Sequence, residues 1–116
     1  MHDFQKLDVW NLAMDLAAAT YDATKAYPTE ERFGLQSQMR RAAVSVPSNI
    51  AEGSARSSDA DFRRFLIMAK GSASELETQV LLSERLGYLG APDSDGLRQT
   101  LNRCHAMLAR LIQTLS

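Results

Sequence analysis

Side chains able to move protons or hold metals are few and scattered in this chain. Glutamates stand at 30, 31, 52, 75, 77 and 84, histidines only at 2 and 105, and the single cysteine is Cys104. A di-metal centre in a helical bundle needs Glu-x-x-His pairs projecting inward, and the sequence contains none. It also lacks a phosphate-cradling glycine motif, a Cys-x-x-Cys pair and a nucleophile elbow. His105 follows Cys104, but neighbours on a helix point ~100° apart, so the two form no dyad. Glu52 and Glu75 would do acid–base work only if the fold set them side by side. The expectation is a non-enzymatic protein with no catalytic residues, no metal and no cofactor.

Two polar rows carry more information. Gln38, Ser45, Asn49 and Glu52 step by 7, 4 and 3, and Ser72, Glu75 and Gln79 step by 3 and 4. Each row lies on one helical face. Around a turn near residue 57, Gln38 comes level with Glu75 to Gln79. The two rows are expected to form an interhelical hydrogen-bond network that fixes register; the alternatives are a wet flank beside an apolar stripe and a ligand or catalytic site.

Charge is the third feature. The chain is −1 overall, which is unlike a dedicated nucleic-acid binder. The distribution is uneven. Residues 1–31 sum to −4, residues 32–70 to +4 and residues 71–116 to −1. Arg40, Arg41, Arg56, Arg63 and Arg64 are the candidates for meeting an acidic partner. The plainer reading of the same arginines is a set of solvated helix faces.

The elements that position these residues are helices. The 116 residues include sixteen Ala and fifteen Leu against seven Val and Ile combined, with six Gly and three Pro. Ala and Leu lose little on entering a helix, and β-branched residues favour strands. Three breaks, at Tyr27-Pro28-Thr29, at Gly53 to Ser58 and at Gly87 to Pro92, divide the chain into four amphipathic segments. The first runs from about Leu7 to Ala26, with Val9, Leu12, Ala13, Leu16, Ala19 and Ala23 on one face. The second runs from about Glu30 to Ala55 with Pro47 inside it, which predicts a kinked continuous helix or two helices broken at Val46. The third opens at Ser58, a cap for the amide of Asp61, and reaches about Leu86. The fourth starts with Asp93 or Ser94 as cap, and its Leu97, Leu101, Cys104, Leu108, Leu111 and Leu115 form a heptad seam. Short connections make neighbouring helices antiparallel. The expected fold is an all-α, antiparallel up-down-up-down four-helix bundle in one domain, 1–116.

Apolar residues outrun one stripe on two of these helices. Trp10, Met14 and Tyr21 flank the first stripe, and Leu81 and Leu82 flank the third. Surplus apolar faces mark interfaces, so a homo-oligomer is expected, with these five residues at its contacts. Cys104 reads as a buried, inert thiol. The N-terminus lacks the basic start and apolar run of a signal peptide, and no window of 18 apolar residues exists. The expected compartment is the cytoplasm, with no membrane partner.

Several stretches together resemble a known family. They are Phe4-Gln5-Lys6-Leu7-Asp8-Val9-Trp10, Tyr27-Pro28-x-Glu30-Glu31-x-Phe33-Gly34-Leu35, Gln38-x-Arg40-Arg41-Ala42 and Ser45-Val46-Pro47-Ser48-Asn49-Ile50-Ala51-Glu52-Gly53. Phe62-x-x-Phe65-Leu66 and Gly71-Ser72-x-x-Glu75-Leu76-Glu77-Thr78-Gln79 complete the set. The chain resembles the four-helix-bundle proteins encoded in intervening sequences of bacterial 23S ribosomal RNA genes. It is also similar to their relatives, the accessory variability determinants of diversity-generating retroelements. The resemblance covers about residues 4 to 90 and is most specific at Asn49 to Gly53. It implies a ring-like homopentamer without known enzymatic activity, and the retroelement relatives imply nucleic acid and a nucleic-acid-processing protein as partners. The resulting expectation is an oligomeric scaffold that meets RNA or DNA through its basic middle section. The competing expectation is a protein–protein interaction module with no nucleic-acid role.

Overall fold

The computed structural model describes residues 3–115. Met1, His2 and Ser116, which the domain and N-terminal readings include, lie outside the described residues. Four helices carry the fold: α1 (Asp8–Thr24), α2 (Leu35–Ser54), α3 (Asp59–Arg85) and α4 (Ala91–Thr114). Short 3₁₀ turns at Phe4–Lys6 and Thr29–Glu31 precede α1 and α2. No strand occurs among the described residues.

Contacts fix the order around the bundle. α1 touches α2 and α4, and α3 touches α2 and α4, so α1 and α3 occupy opposite corners. They also fix direction. Gln36 at the start of α2 donates to the carbonyl of Thr24 at the end of α1. Ser83 late in α3 donates to Met39 early in α2, and Arg98 early in α4 faces Glu84. Leu7 and Val9 share a recess with Met107 and Leu111, and Ala23 shares one with Pro92. Each neighbouring pair is therefore antiparallel, as the short connections predict. The molecule measures 43 × 24 × 20 Å, and its long axis matches the ~40 Å that 27 helical residues span.

The stripes read from the sequence form one core. Leu16, Met39, Val46, Ile50, Phe62, Leu66, Leu76, Leu101, Cys104 and Leu108 have essentially no exposure. Side chains of this size each stabilise the fold by about 1.5–3 kcal/mol on burial. Buried Thr20 and Thr24 satisfy their hydroxyls on the carbonyls of Leu16 and Thr20, four residues back.

The helix ends show where local chemistry was legible. Ser58 accepts from the amide of Asp61 at 3.1 Å and opens α3, as expected. Gly87, at φ +78°, closes α3. Its amide bonds the carbonyl of Glu84 and that of Tyr88 bonds the carbonyl of Ser83, the paired bonds of a left-handed glycine stop. α2 runs unbroken through Pro47, which excludes two helices parted at Val46. The start of α4 needs correcting. The helix begins at Ala91 with Gly90 as cap and Pro92 in the first turn. Proline there lacks only an amide that would have no partner anyway, and its fixed φ suits a helix. Ser94 is buried, with no partner for its hydroxyl, and caps nothing.

Candidate functional site

The five arginines singled out above divide into two groups, set by where α2 begins and ends. Arg40 and Arg41 lie in its second turn, and Arg56 lies just past its last. The fourteen helical steps from Arg40 to Ser54 put more than ~20 Å between the two groups.

At the far end, Arg56 and Arg64 each hold a guanidinium 4.6 Å from the centroid of the Phe65 ring. Phe65 itself is buried. Asp61 accepts from Arg64 at 2.9–3.0 Å and lies 3.8 Å from Arg56. One carboxylate and one ring thus hold two cations at the α2–α3 turn. Arg63 sits half-buried one position before Arg64.

At the near end, Arg40 straps α2 to the end of α1. Its Nε donates to Thr24 Oγ1 at 2.9 Å and its Nη2 to the Tyr21 carbonyl at 3.1 Å. Its guanidinium lies 4.6 Å over the Tyr21 ring. A cation at a helix C-terminus also suits the helix dipole. Arg41 is exposed and has no ion pair among the described residues; it borders both this end of α2 and the recess that contains Glu75. Arg32, part of the +4 section but not one of the five candidates, lies 5.4 Å from the ring of its neighbour Phe33. Tyr21, Arg32, Phe33, Arg40 and Arg41 line one open cleft. The signal for Arg32 and Phe33 was the break at Pro28, since residues after a break and before the next inner stripe need not face the core.

The two polar rows face each other without bonding. Gln38 and Ser45 on α2 and Glu75 on α3 line the walls of one recess of about 250 Å³. Within it Ser45 donates to the Ala42 carbonyl and Asn49 to the Ser45 carbonyl, so these bonds stay inside α2. The interhelical network expected of Gln38, Ser45, Asn49, Glu52, Ser72, Glu75 and Gln79 is not formed among the described residues. Gln38, Glu52 and Glu75 are exposed and reach water instead. Gln79 is buried, and its side-chain oxygen has no hydrogen-bond partner. Register also separates the carboxylates. Glu75 stands opposite Ser45, seven residues and ~10 Å along α2 from Glu52, so the two form no acid–base pair.

Burial pushes the Cys104 thiol up to about 11, with Arg103 pulling the other way. A thiol held there is almost wholly protonated at neutral pH and is a poor nucleophile. His105 Nε2 lies 3.8 Å from Glu77. No group of three or more His, Cys, Asp or Glu is placed to hold a metal among the described residues.

The surplus apolar residues are mostly where the sequence puts them. Met14, Tyr21, Leu81 and Leu82 are exposed. Trp10 is the exception: it is half-buried, with the Phe4 ring edge-on at 5.1 Å. The N-terminal turn folds back over it, a covering that periodicity within α1 could not reveal. Ile67 and Met68 join the exposed face of α3, and Leu86 continues it at the cap; all three stand outside the inner stripe.

A profile of 23S rRNA-intervening sequence proteins matches residues 5–110. The chain belongs to this family. The match takes in α1, α2 and α3 and most of α4. The fold is shared with the crystal structure of a protein of unknown function from the S23 ribosomal protein family of Bacteroides thetaiotaomicron. That protein superposes with a TM-score of 0.83 over 90% of this chain and 95% of its own, at 22% identity. No curated protein matches the chain. No described helix is long and apolar enough to cross a membrane.

Proposed function

We propose that this family member is a non-enzymatic scaffold that assembles from copies of itself and presents arginines to nucleic acid. The observation that carries the assembly is the exposed apolar surface on opposite corners of the bundle. Met14 lies on α1, in line with the Tyr21 that borders the arginine cleft; Ile67, Met68, Leu81 and Leu82 lie on α3, and Leu86 caps it. Two different patches on opposite sides fit a head-to-tail contact, and such contacts close into rings when the rotation allows. The family resemblance implies a ring of five. Gly71 supports the same reading. It lies mid-helix on the outer face of α3, where an added Cβ would meet nothing within 4 Å. Glycine there costs about 1 kcal/mol against alanine and serves no packing within the protomer. A helix from another copy would make use of the gap.

Light scattering at micromolar concentration tests the assembly. The expected mass is several times 12.8 kDa. Met68→Glu with Leu82→Glu should reduce it to the protomer while helical circular dichroism stays unchanged. A protomer mass for the unmodified protein would remove this reading.

Nucleic acid is supported by the +4 of residues 32–70. A mobility shift at low salt that fades steeply as salt rises is the expected result. One observation favours the rival reading, a protein-interaction scaffold without nucleic acid. Asp61 already engages Arg56 and Arg64, which lowers the positive potential at the α2–α3 turn. An intact assembly with no shift at low salt would decide for that rival.

A further inference from the structure

The cleft where α1 ends and α2 begins sets arginines beside exposed aromatic rings. It is open to solvent and holds about 410 Å³, within the ~300–1,000 Å³ of small-molecule sites. Arg32, Arg40 and Arg41 line it, and no carboxylate does. Two aromatic rings share it. Phe33 is 87% exposed and Tyr21 44%. Phe33 adds nothing to the protomer's core; Arg32 lies 5.4 Å from its centroid, and at this exposure the ring still offers a face to a stacking partner. An apolar protein surface seated here would have to desolvate three guanidinium groups, which is costly without counter-charges. A bare anion would leave Phe33 idle. A ligand joining a flat ring to a phosphate uses both features. A double helix keeps its bases stacked inside, so an unpaired base fits better.

We propose that this cleft binds a nucleotide unit, with the phosphate at Arg32 and Arg41 and the base stacked on Phe33. Arg40 positions the wall by strapping α2 to Tyr21 and Thr24. The unit is supplied either by a free nucleotide or by one residue of a single strand. The proposal rests on the nucleic-acid part of the reading above and does not require the assembly.

The test is a titration of the whole chain at low salt with two probes, a labelled twelve-nucleotide oligoadenylate RNA and AMP. Phe33→Ala and Arg41→Gln should each weaken binding about 10-fold. For the strand, removing one phosphate contact should lower the salt slope by about 0.7. Phe33→Leu should behave as Phe33→Ala, because leucine keeps apolar area but has no π face. Arg103→Gln on α4, equal in charge change, should alter binding by less than ~2-fold. The same pattern with AMP identifies a free nucleotide as the source, and the pattern with the strand alone identifies RNA; both support the cleft. Strand binding that survives Phe33→Ala and Arg41→Gln but is lost with Arg56→Gln and Arg64→Gln overturns this cleft and spares the wider reading. Binding of neither probe overturns both. A Phe33→Ala variant with unchanged binding and reduced assembly mass assigns the ring to an interface and also overturns the proposal.

Discussion

A Cβ added at Gly53 would lie 2.6 Å from the Cβ of Phe65 and 3.0 Å from the Phe62 ring. The last turn of α2 therefore rests its bare backbone against α3. Gly53 closes the Asn49–Gly53 stretch, the most specific part of the family resemblance, and its job is close approach between helices. Gly53→Ala should force the hairpin open and cost about 2–4 kcal/mol. Gly96 on α4, where a Cβ would meet nothing within 4 Å, is the control. Gly96→Ala should stabilise by about 1 kcal/mol. Thermal melts of the two variants check this, and equal melting temperatures would refute the packing argument.

Glu31 ties three elements together. Its Oε1 accepts from the amide of Leu35 at 3.1 Å, and its Oε2 accepts from the Tyr88 hydroxyl at 3.1 Å. The first bond supplies a partner to an otherwise open amide at the start of α2. The second joins that start to the turn after α3. Glu31→Ala should lose both, costing about 1–2 kcal/mol. Tyr88→Phe should lose only the second and cost less. Denaturant midpoints for the two variants should rank in that order; the reverse order would refute it.

Two tyrosines set the alkaline limit. Burial raises the Tyr27 hydroxyl above its usual value, only partly offset by Ser83. The hydrogen bond to Glu31 raises Tyr88, followed by burial and the charges of Glu31 and Glu30. Both groups lose protons more readily in the unfolded chain. Their contribution to stability is thus complete below pH 10 and is lost as pH climbs through the folded values. Melting temperature should fall above pH 10 in the unmodified protein and fall less in Tyr27→Phe. Tyr27→Phe also removes a buried hydroxyl that has no hydrogen-bond partner of good geometry, so its stability at pH 7 should be unchanged or slightly higher. Absorbance at 295 nm follows the titration directly.

The buried amide oxygen of Gln79 gives a complementary case. An unsatisfied buried acceptor costs about 1–3 kcal/mol. Gln79→Met keeps the side chain's length and removes the polar group, and it should stabilise the fold by about 1 kcal/mol. Chemical denaturation measures it; a clear loss would show that the amide is satisfied in solution.

Periodicity carried the fold because burial is a property of a whole face. The seam from Leu97 through Leu108 is buried as spacing predicts, and Leu111 and Leu115 lie half-buried at its C-terminal end. The same spacing put Gln38, Ser45 and Glu75 on facing walls, yet it could not say whether their atoms would meet. A hydrogen bond needs about 3 Å, far finer than a face. Charge was legible as a total and not as a set of partners. Asp61 between Arg56 and Arg64 lies only a few positions away, but its grip depends on how the α2–α3 turn closes. Glu31 and Tyr88 stand 57 residues apart, and nothing local announces them. Phe33 was visible as a residue outside any stripe, and only the fold shows it beside three arginines.

Cys104 reports on core integrity because its burial and its protonation act together. Its side chain has no exposure, and its thiol is pushed up to about 11. Thiolate is the reactive form, so a reagent such as Ellman's must wait for the core to open. At pH 7 in native buffer the protein should label far more slowly than in denaturant, and the rate should track local opening. Gly53→Ala loosens the packing of α2 on α3, and it should accelerate labelling without touching Cys104 itself. Fast labelling of the unmodified protein would show that α4 is not sealed against the other three helices.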